Sequence, residues 1–428
     1  MIRGIQEYGD RMFASLKIRN YRLYFIGQGF SHIGNWMQTV ALGWLVLELT
    51  GSGVALGSVL AFRFAPLLLG GPFAGMIVDS VNKRRFLYFT QSASGVLALA
   101  MSLLVFTGTI EIWMVYVAAV LFGTVDVLDR PLRQTFLHEM VGPENLRNAV
   151  TLNSTEANLA RALGPLFAGA LIATVGIAFC FFANALSFVM VLVALFFLRP
   201  DEFHRETEAP RPPDHLLAGL RYAASVPMIR NVLISMAVIG TLSYEFQVSL
   251  PLLAENAFQG GAADYAALLS AMGAGSVAGG LFTASRHGVT LFEFVASAFL
   301  FGVSLLLTAL LPTLGLAIAG MVFVGFFSIN LTSVGNTMIQ LESAPHMRGR
   351  VMALWTMALF GSTLLGAPLI GWIAEHAGAR WGVGIGGVAA ILAALYAART
   401  LLKTDEWRII PASIRIRIFT AEADAGPK

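Results

Sequence analysis

Cysteine is almost missing from this sequence. Cys180 is the single one among 428 residues, so no disulfide within the chain is possible and the redox compartment cannot be read from it. Charge is scarce as well. Asp, Glu, Lys and Arg make up 12% of the residues, where a globular chain carries about 25%. No Gly-x-x-x-x-Gly-Lys-Ser/Thr occurs, which excludes the phosphate-cradling loop of an ATP-driven machine. There is no Gly-x-Ser-x-Gly, no His or Cys cluster at metal-ligand spacing and no matched catalytic pair inside an apolar run. No cofactor and no metal are expected, and an intramembrane enzyme is a remote reading.

What the sequence does have is apolar length. Hydrophobic residues make up 57% of the chain, in runs that reach the roughly 20 residues needed to cross a bilayer. Lipid offers no partner to free backbone groups, so each run must be a helix or part of a closed barrel. The runs are about twice the length of barrel strands, so the expected class is an all-α integral membrane protein. Twelve helices are predicted, over 22–48, 54–78, 86–107, 113–136, 150–174, 177–198, 229–253, 263–285, 290–311, 314–340, 351–374 and 382–402. A cleavable signal peptide is not expected, because the basic stretch Arg11, Lys17, Arg19, Arg22 leads into a run too long for a signal core.

The connections alternate in charge. One set carries Lys83, Arg84, Arg85, then Arg147, then Arg199, Arg205, Arg211 and Arg221, then Arg286, then Arg348 and Arg350. The other carries Glu48, Glu111, Glu255, Asp264, Glu375 and a single Arg380. The positive-inside rule places the first set, and with it both tails, in the cytoplasm. The same alternation argues against nucleic acid as the target of the net charge of +3. The predicted organisation is a bundle over 1–198 with its tail, a cytoplasmic linker over 199–228, a second bundle over 229–402 and a tail over 403–428. Within the linker, Pro210, Pro212 and Pro213 break the chain, and Asp214 can cap a short amphipathic helix ending near Ser225. That helix, with Leu216, Leu217, Leu220 and Ala224 along one side, either lies on the membrane surface or is a solvated connector.

The two halves repeat each other. Gly71 and Gly75 are four apart, and so are Gly275 and Gly279, 204 residues later. Pro143-Glu-Asn-Leu-Arg147 precedes Gly164-Pro165, and Pro345-His-Met-Arg348 precedes Ala367-Pro368, with the two prolines 22 and 23 residues apart. Such a repeat predicts two pseudo-symmetric six-helix bundles around an axis along the membrane normal, with a cavity between them near the midplane.

At these residues the sequence resembles the major facilitator superfamily. Gly75, Asp79, Lys83 and Arg84 match that family's charged loop between helices two and three, with Ser80 for a basic residue and Asn82 for a glycine. Gly164-Pro165 with Ala168-Gly169 is similar to the exporters' fifth-helix signature, with alanine for one glycine. Pro131-Leu-Arg133-Gln134 and Arg348-Gly-Arg350-Val-Met352 resemble the subgroup of enterobactin and macrolide exporters. The resemblance covers about 20–402. It implies the major facilitator fold, a gating role for the charged loop, and a helix bend at Gly164 and Pro165. Asp79 would face the positive N-terminal end of helix eleven when the transporter opens outward, as a latch between halves or as a topology signal alone.

Charges inside spans are costly and tend to be functional. Helix four carries Asp126, Asp129, Arg130 and Arg133, largely on one face, beside Pro131. Helix five carries Glu156 and Arg161. Matching their depths predicts cross-helix pairs, Glu156 with Arg133 and Arg161 with Asp126 or Asp129. These form either a coupling network or a static tie. Glu245 in helix seven is a candidate proton carrier or a carboxylate at the outer mouth. Cavity candidates are Gln28, Asn35, Trp36 and Gln38 on helix one, Arg63 on helix two, Phe246 on helix seven, and Asn330, Asn336 and Gln340 on helix ten.

The function expected is secondary transport by alternating access. The protein would be a proton-coupled exporter of a bulky amphipathic small molecule, a siderophore, a macrolide or another drug. Its partners would be that substrate, protons and the lipid bilayer of a bacterial inner membrane, and it would act as a monomer. A lysophospholipid flippase on the same fold is the alternative.

Overall fold

The computed structural model describes residues 12–204, 216–286 and 288–403. At a few positions inside helices, among them Gly75, Asp79, Leu216 and Leu217, it describes the backbone alone. Arg11, Arg205, Arg211, Asp214, the linker prolines and the C-terminal tail lie outside the described residues.

Helix boundaries follow local chemistry. Helix α1 (Arg19–Thr50) ends on Gly51, whose left-handed backbone (φ 61°) lets its N–H reach back to the carbonyl of Leu47. Ser52 then caps α2 (Gly53–Ser80) by accepting from the backbone of Ala55 at 3.1 Å. Asn82, the residue standing in for the family's glycine, caps α3 (Lys83–Phe106) by accepting from the backbone of Arg85 at 3.1 Å.

A continuous run follows, Ile112–Val175, 64 residues long. It is two helices, α4 (112–141) and α5 (143–175), joined through Gly142 (φ 66°, ψ 173°) and Pro143. The sequence predicted a loop over 137–149. The chain stays helical there because Leu137, Met140, Val141 and Ala149 bury themselves in an apolar cluster with Tyr21, Tyr24, Leu87 and Phe136. Residues that would be free in a loop have a core to join, and one glycine makes the turn.

The remaining helices are α6 (Ile177–Phe197), α7 (Pro227–Ala257), α8 (Ala262–Ala284), α9 (Leu291–Leu310), α10 (Leu314–Glu342), α11 (Arg348–His376) and α12 (Ala379–Lys403). Ten of the segments are long and apolar enough on their own to cross a membrane, counting Ile112–Val175 once. Helix α1 is not among them. Its 32 residues span about 48 Å at 1.5 Å per residue, but it carries polar side chains, of which Gln28, Ser31 and Gln38 are buried against protein.

Two helices of the second half are irregular. In α7 the helical geometry breaks at Tyr244 and Glu245, and Leu253–Ala257 forms a single widened π-turn. In α11 Met357–Gly361 forms another. Both lie in helices that border the other half.

The first bundle packs α1 against α5 and α6, α2 against α4, and α3 against α6. The second packs α8 against α10, α9 against α10 and α12, and α7 against α12. The bundles meet through α2 with α11 and α5 with α8. Backbones touch along this seam. A Cβ on Gly57 would lie 2.3 Å from the carbonyl oxygen of Ala367, and one on Gly273 would lie 2.7 Å from the Cα of Ala162. At the rim, Glu375 of α11 accepts from the Ser52 hydroxyl (2.6 Å) and the Val54 backbone (3.0 Å) of α2. All of these contacts lie at mid-depth or on the far side, away from where α1 begins and α12 ends. The seam is therefore closed on the far side.

The repeated glycine pairs do not behave alike. Gly275 and Gly279 press α8 onto the carbonyls of Val322 and Phe326 in α10, whereas a Cβ on Gly71 would meet only its own helix, at Leu67. In the linker, a helix covers Leu216–Ser225. One side of it is docked on the second bundle. Gly219 abuts Arg350, and the Tyr222 hydroxyl accepts from the backbone of Ala344 at 3.0 Å.

Candidate functional site

The charged loop holds the first bundle together at its tail-side edge. Lys83 donates to Glu139 of α4 at 2.8 Å. Arg84 donates to the terminal carbonyls of α6, to Leu195 at 2.8 Å and to Phe196 at 3.3 Å, where a cation suits the negative helix end. The side chain of Asp79 lies outside the described residues.

Deeper in the bundle, Gly123 lets α4 approach the carbonyl of Arg63 in α2. Asp126 there pairs with Arg63 at 3.1 Å. Asp129, one turn on, is buried and heavily used. It accepts from Thr90 (2.6 Å) and Gln91 (2.7 Å) of α3, and from Arg133 four residues along its own helix. Arg133 also donates to Gln28 of α1. Arg130 is exposed and borders a small cavity with Arg63 and Asp126.

The predicted cross-helix pairs are not among the ion pairs of the described residues. Glu156 meets His32 of α1 at 3.2 Å, not Arg133, and its second oxygen is buried without a partner. Arg161 lies over the ring of Trp36 at 5.3 Å rather than beside an aspartate. Both aspartates already have cations, because α4 turns them toward α2 and α3 while Arg161 on α5 points at α1. Gly164 brings those two helices together, since a Cβ there would lie 2.4 Å from the Cβ of Trp36. The chain stays helical through Pro165.

Of the cavity candidates, Gln28 and Gln38 are committed inside the first bundle. Gln28 accepts from Arg133, and Gln38 accepts from Asn184 of α6 at 2.7 Å. Asn35 shares that amide at 3.3 Å. In the second bundle Asn330 is buried and accepts from Thr283 at 2.6 Å, while Asn336 accepts from Gln340 along its own helix. Phe246 is buried in an aromatic group with Tyr244 and Phe301.

Glu245 sits in the break of α7, 3% exposed, against α11. A Cβ on Gly366 would lie 3.0 Å from its Oε1, and that oxygen has no partner. A groove of about 420 Å³ lies elsewhere, between α8, α9 and α10, with Phe282, Phe292 and Phe326 on its walls and the Arg286–Glu293 pair at its edge.

Sequence reasoning missed His32, Thr90 and Gln91. A histidine in mid-span was a signal in itself. Thr90 and Gln91 looked like ordinary polar residues in a long apolar helix.

A family model described as transmembrane secretion effector matches residues 11–416 of the chain. The chain is similar to the staphyloferrin A transporter of Staphylococcus aureus, 26% identical over 342 residues, covering 78% of this chain and 85% of that one. It is similar to the enterobactin exporter of Escherichia coli O1:K1, 23% identical over 359 residues, covering 82% and 84%. Among solved structures it matches a bacterial homologue of the human lysosomal transporter Spinster, in an inward-facing and occupied conformation. That match has a TM-score of 0.70 at 15% identity and covers 92% of this chain and 99% of that one.

Proposed function

This chain belongs to the transmembrane secretion effector family of the major facilitator superfamily, and from that premise we propose that it is a proton-coupled exporter of a bulky amphipathic small molecule. The siderophore class named for two of its relatives is the first to try, followed by drugs. The protein works as a monomer in a bacterial inner membrane with both tails in the cytoplasm. With the tail side inside the cell, the closed far side makes the described arrangement the inward-facing one. The cycle then alternates between this state and one in which the α2–α11 and α5–α8 contacts part and the tail side closes. In that second state the end of α2, with Asp79, meets the positive start of α11.

The observation that carries proton coupling is Glu245. A carboxyl buried between α7 and the seam helix α11, in a broken helix turn and with one oxygen unpartnered, is poised to exchange a proton as the bundles rearrange. The membrane potential supplies about 2.3 kcal/mol per charge per 100 mV to such an exchange. The test is efflux of fluorescent drugs and a catecholate siderophore from loaded cells, with and without a protonophore, in wild type and Glu245→Gln. Wild-type efflux should collapse with the protonophore, and the variant should lose the gradient-driven part. Efflux by Glu245→Gln that still follows the gradient would remove the carrier role. No movement of any compound by wild type would turn the reading to lysophospholipid flipping.

A further inference from the structure

Three arginines reach deep into the membrane-spanning part without being exposed: Arg63, Arg133 and Arg161. Two have a carboxylate, Asp126 for Arg63 and Asp129 for Arg133. Arg161 has none among the described residues, and none of its N–H groups donates a hydrogen bond there. Among the described residues its guanidinium lies against the ring of Trp36. A guanidinium on an aromatic face gains some attraction, but its N–H donors remain unused. An unpaired cation at this depth costs several kcal/mol on insertion scales, and among the described residues no carboxylate offsets that cost.

Its position is central. Arg161 is near the middle of α5, Trp36 near the middle of α1, and Gly273 the midpoint of α8. The carbonyl of Arg161 would lie 2.9 Å from a Cβ on Gly273, so the residue sits on the seam between bundles. Tyr244 of the second bundle is within electrostatic range of it and hydrogen-bonds Ser328 of α10. Helices α1, α5, α7 and α8, from both bundles, thus converge at mid-depth, beside the closed far side of the seam. Alternating-access transporters place their substrates here.

We propose that Arg161, backed by Trp36, is the anchor for an anionic substrate: an amphipathic molecule with a carboxylate head and an aromatic or apolar body. The planar guanidinium fork fits a carboxylate with two parallel hydrogen bonds. The substrate supplies the counter-charge that the described residues do not, and the indole takes the body. This assignment rests on the exporter reading and gives it a substrate class. It also moves Arg161 out of the coupling network, since its charge is spent on cargo rather than on Asp126 or Asp129.

The test is equilibrium binding by calorimetry to purified wild-type protein, using biphenyl-4-carboxylate and its uncharged isostere biphenyl-4-carboxamide. The acid should bind about tenfold or more tightly than the amide, a charge-assisted pair outranking a neutral one. Arg161→Gln should erase that preference, and Arg161→Lys should keep part of it, having the charge without the fork. Equal binding of acid and amide to wild type, or binding of neither, overturns the proposal. So does an unchanged preference in Arg161→Gln. If Arg161→Gln fails to run as a single species on gel filtration, the wild-type ratio and Arg161→Lys decide. The measurement needs no gradient, so its failure leaves proton-driven efflux standing, and a failure of efflux leaves the anion preference standing.

Discussion

Gly57→Ala should shift the transporter away from the arrangement described above. The added Cβ would lie 2.3 Å from the carbonyl oxygen of Ala367 and 2.7 Å from the Cα of Pro368. An ordinary carbon–oxygen contact is about 3.3 Å or more, so α2 and α11 must part by roughly 1 Å. The three nearest atoms all belong to the α11 backbone, so no side chain can swing aside to relieve them. Overpacking of this kind costs about 1–3 kcal/mol. Alanine also gains about 0.5–1 kcal/mol of helix propensity over glycine, but that gain is common to both conformations and cancels between them. The closed far side should therefore lose about 5- to 150-fold in population relative to its alternative. Spin labels on His138→Cys and Glu342→Cys, both exposed near the tail side of the two bundles, read the change as a distance. Cys180 is fully buried and stays unlabelled. Gly57→Ala should move the distribution to shorter separations. Gly43→Ala is the control, because its new Cβ would meet the second bundle only at ordinary contacts, 3.6 Å to the Tyr265 ring and 3.8 Å to the carbonyl oxygen of Gln247. An unchanged distribution in Gly57→Ala would refute the idea that this contact sets the conformational balance.

Two further outcomes are expected. Glu375→Gln should move the same spin-label distances in the same direction but less, by about fivefold in population or under, since an exposed rim contact is worth roughly 1 kcal/mol or less; a shift toward longer distances would contradict it. Gly142→Ala should lower the melting temperature read by tryptophan fluorescence, because its backbone (φ 66°, ψ 173°) is open essentially to glycine alone and a misfit costs of order 1–3 kcal/mol. The new Cβ would also lie 3.1 Å from the His204 ring. Melting at the wild-type temperature would show that the α4–α5 joint is not held as described.

Most of the helix layout was legible because a bilayer leaves the chain few choices. Apolar length and flanking charge placed the spans near where the structure has them, apart from the joint at Gly142, where an amphipathic turn found an apolar cluster to join. The side-chain partnerships were less legible. Depth along a helix can be counted from the sequence, but azimuth cannot. Glu156 and Arg133 lie at similar depth yet face different neighbours, His32 and Asp129. The same limit hid the commitment of Gln28 and Gln38 to the first bundle. It also hid the difference between Gly71, which meets only a side chain of its own helix, and Gly275, pressed against a neighbouring backbone. Glu245 stood out in the sequence because a carboxylate amid Tyr244 and Phe246 has so little to bond with.

The widened turns in α7 and α11 make the two bundles mechanically unequal. A π-turn holds one residue more than its helix needs. Passing that surplus along the helix rotates the residues between its old and new positions by about 100°, one residue's share of a turn, while the ends stay anchored. Helices α7 and α11 can therefore twist their seam-facing side chains without sliding through the lipid. Among the described residues of α1–α6 no such turn occurs. The first bundle then acts as the anvil and the second as the part that yields, despite the symmetry written into their sequences.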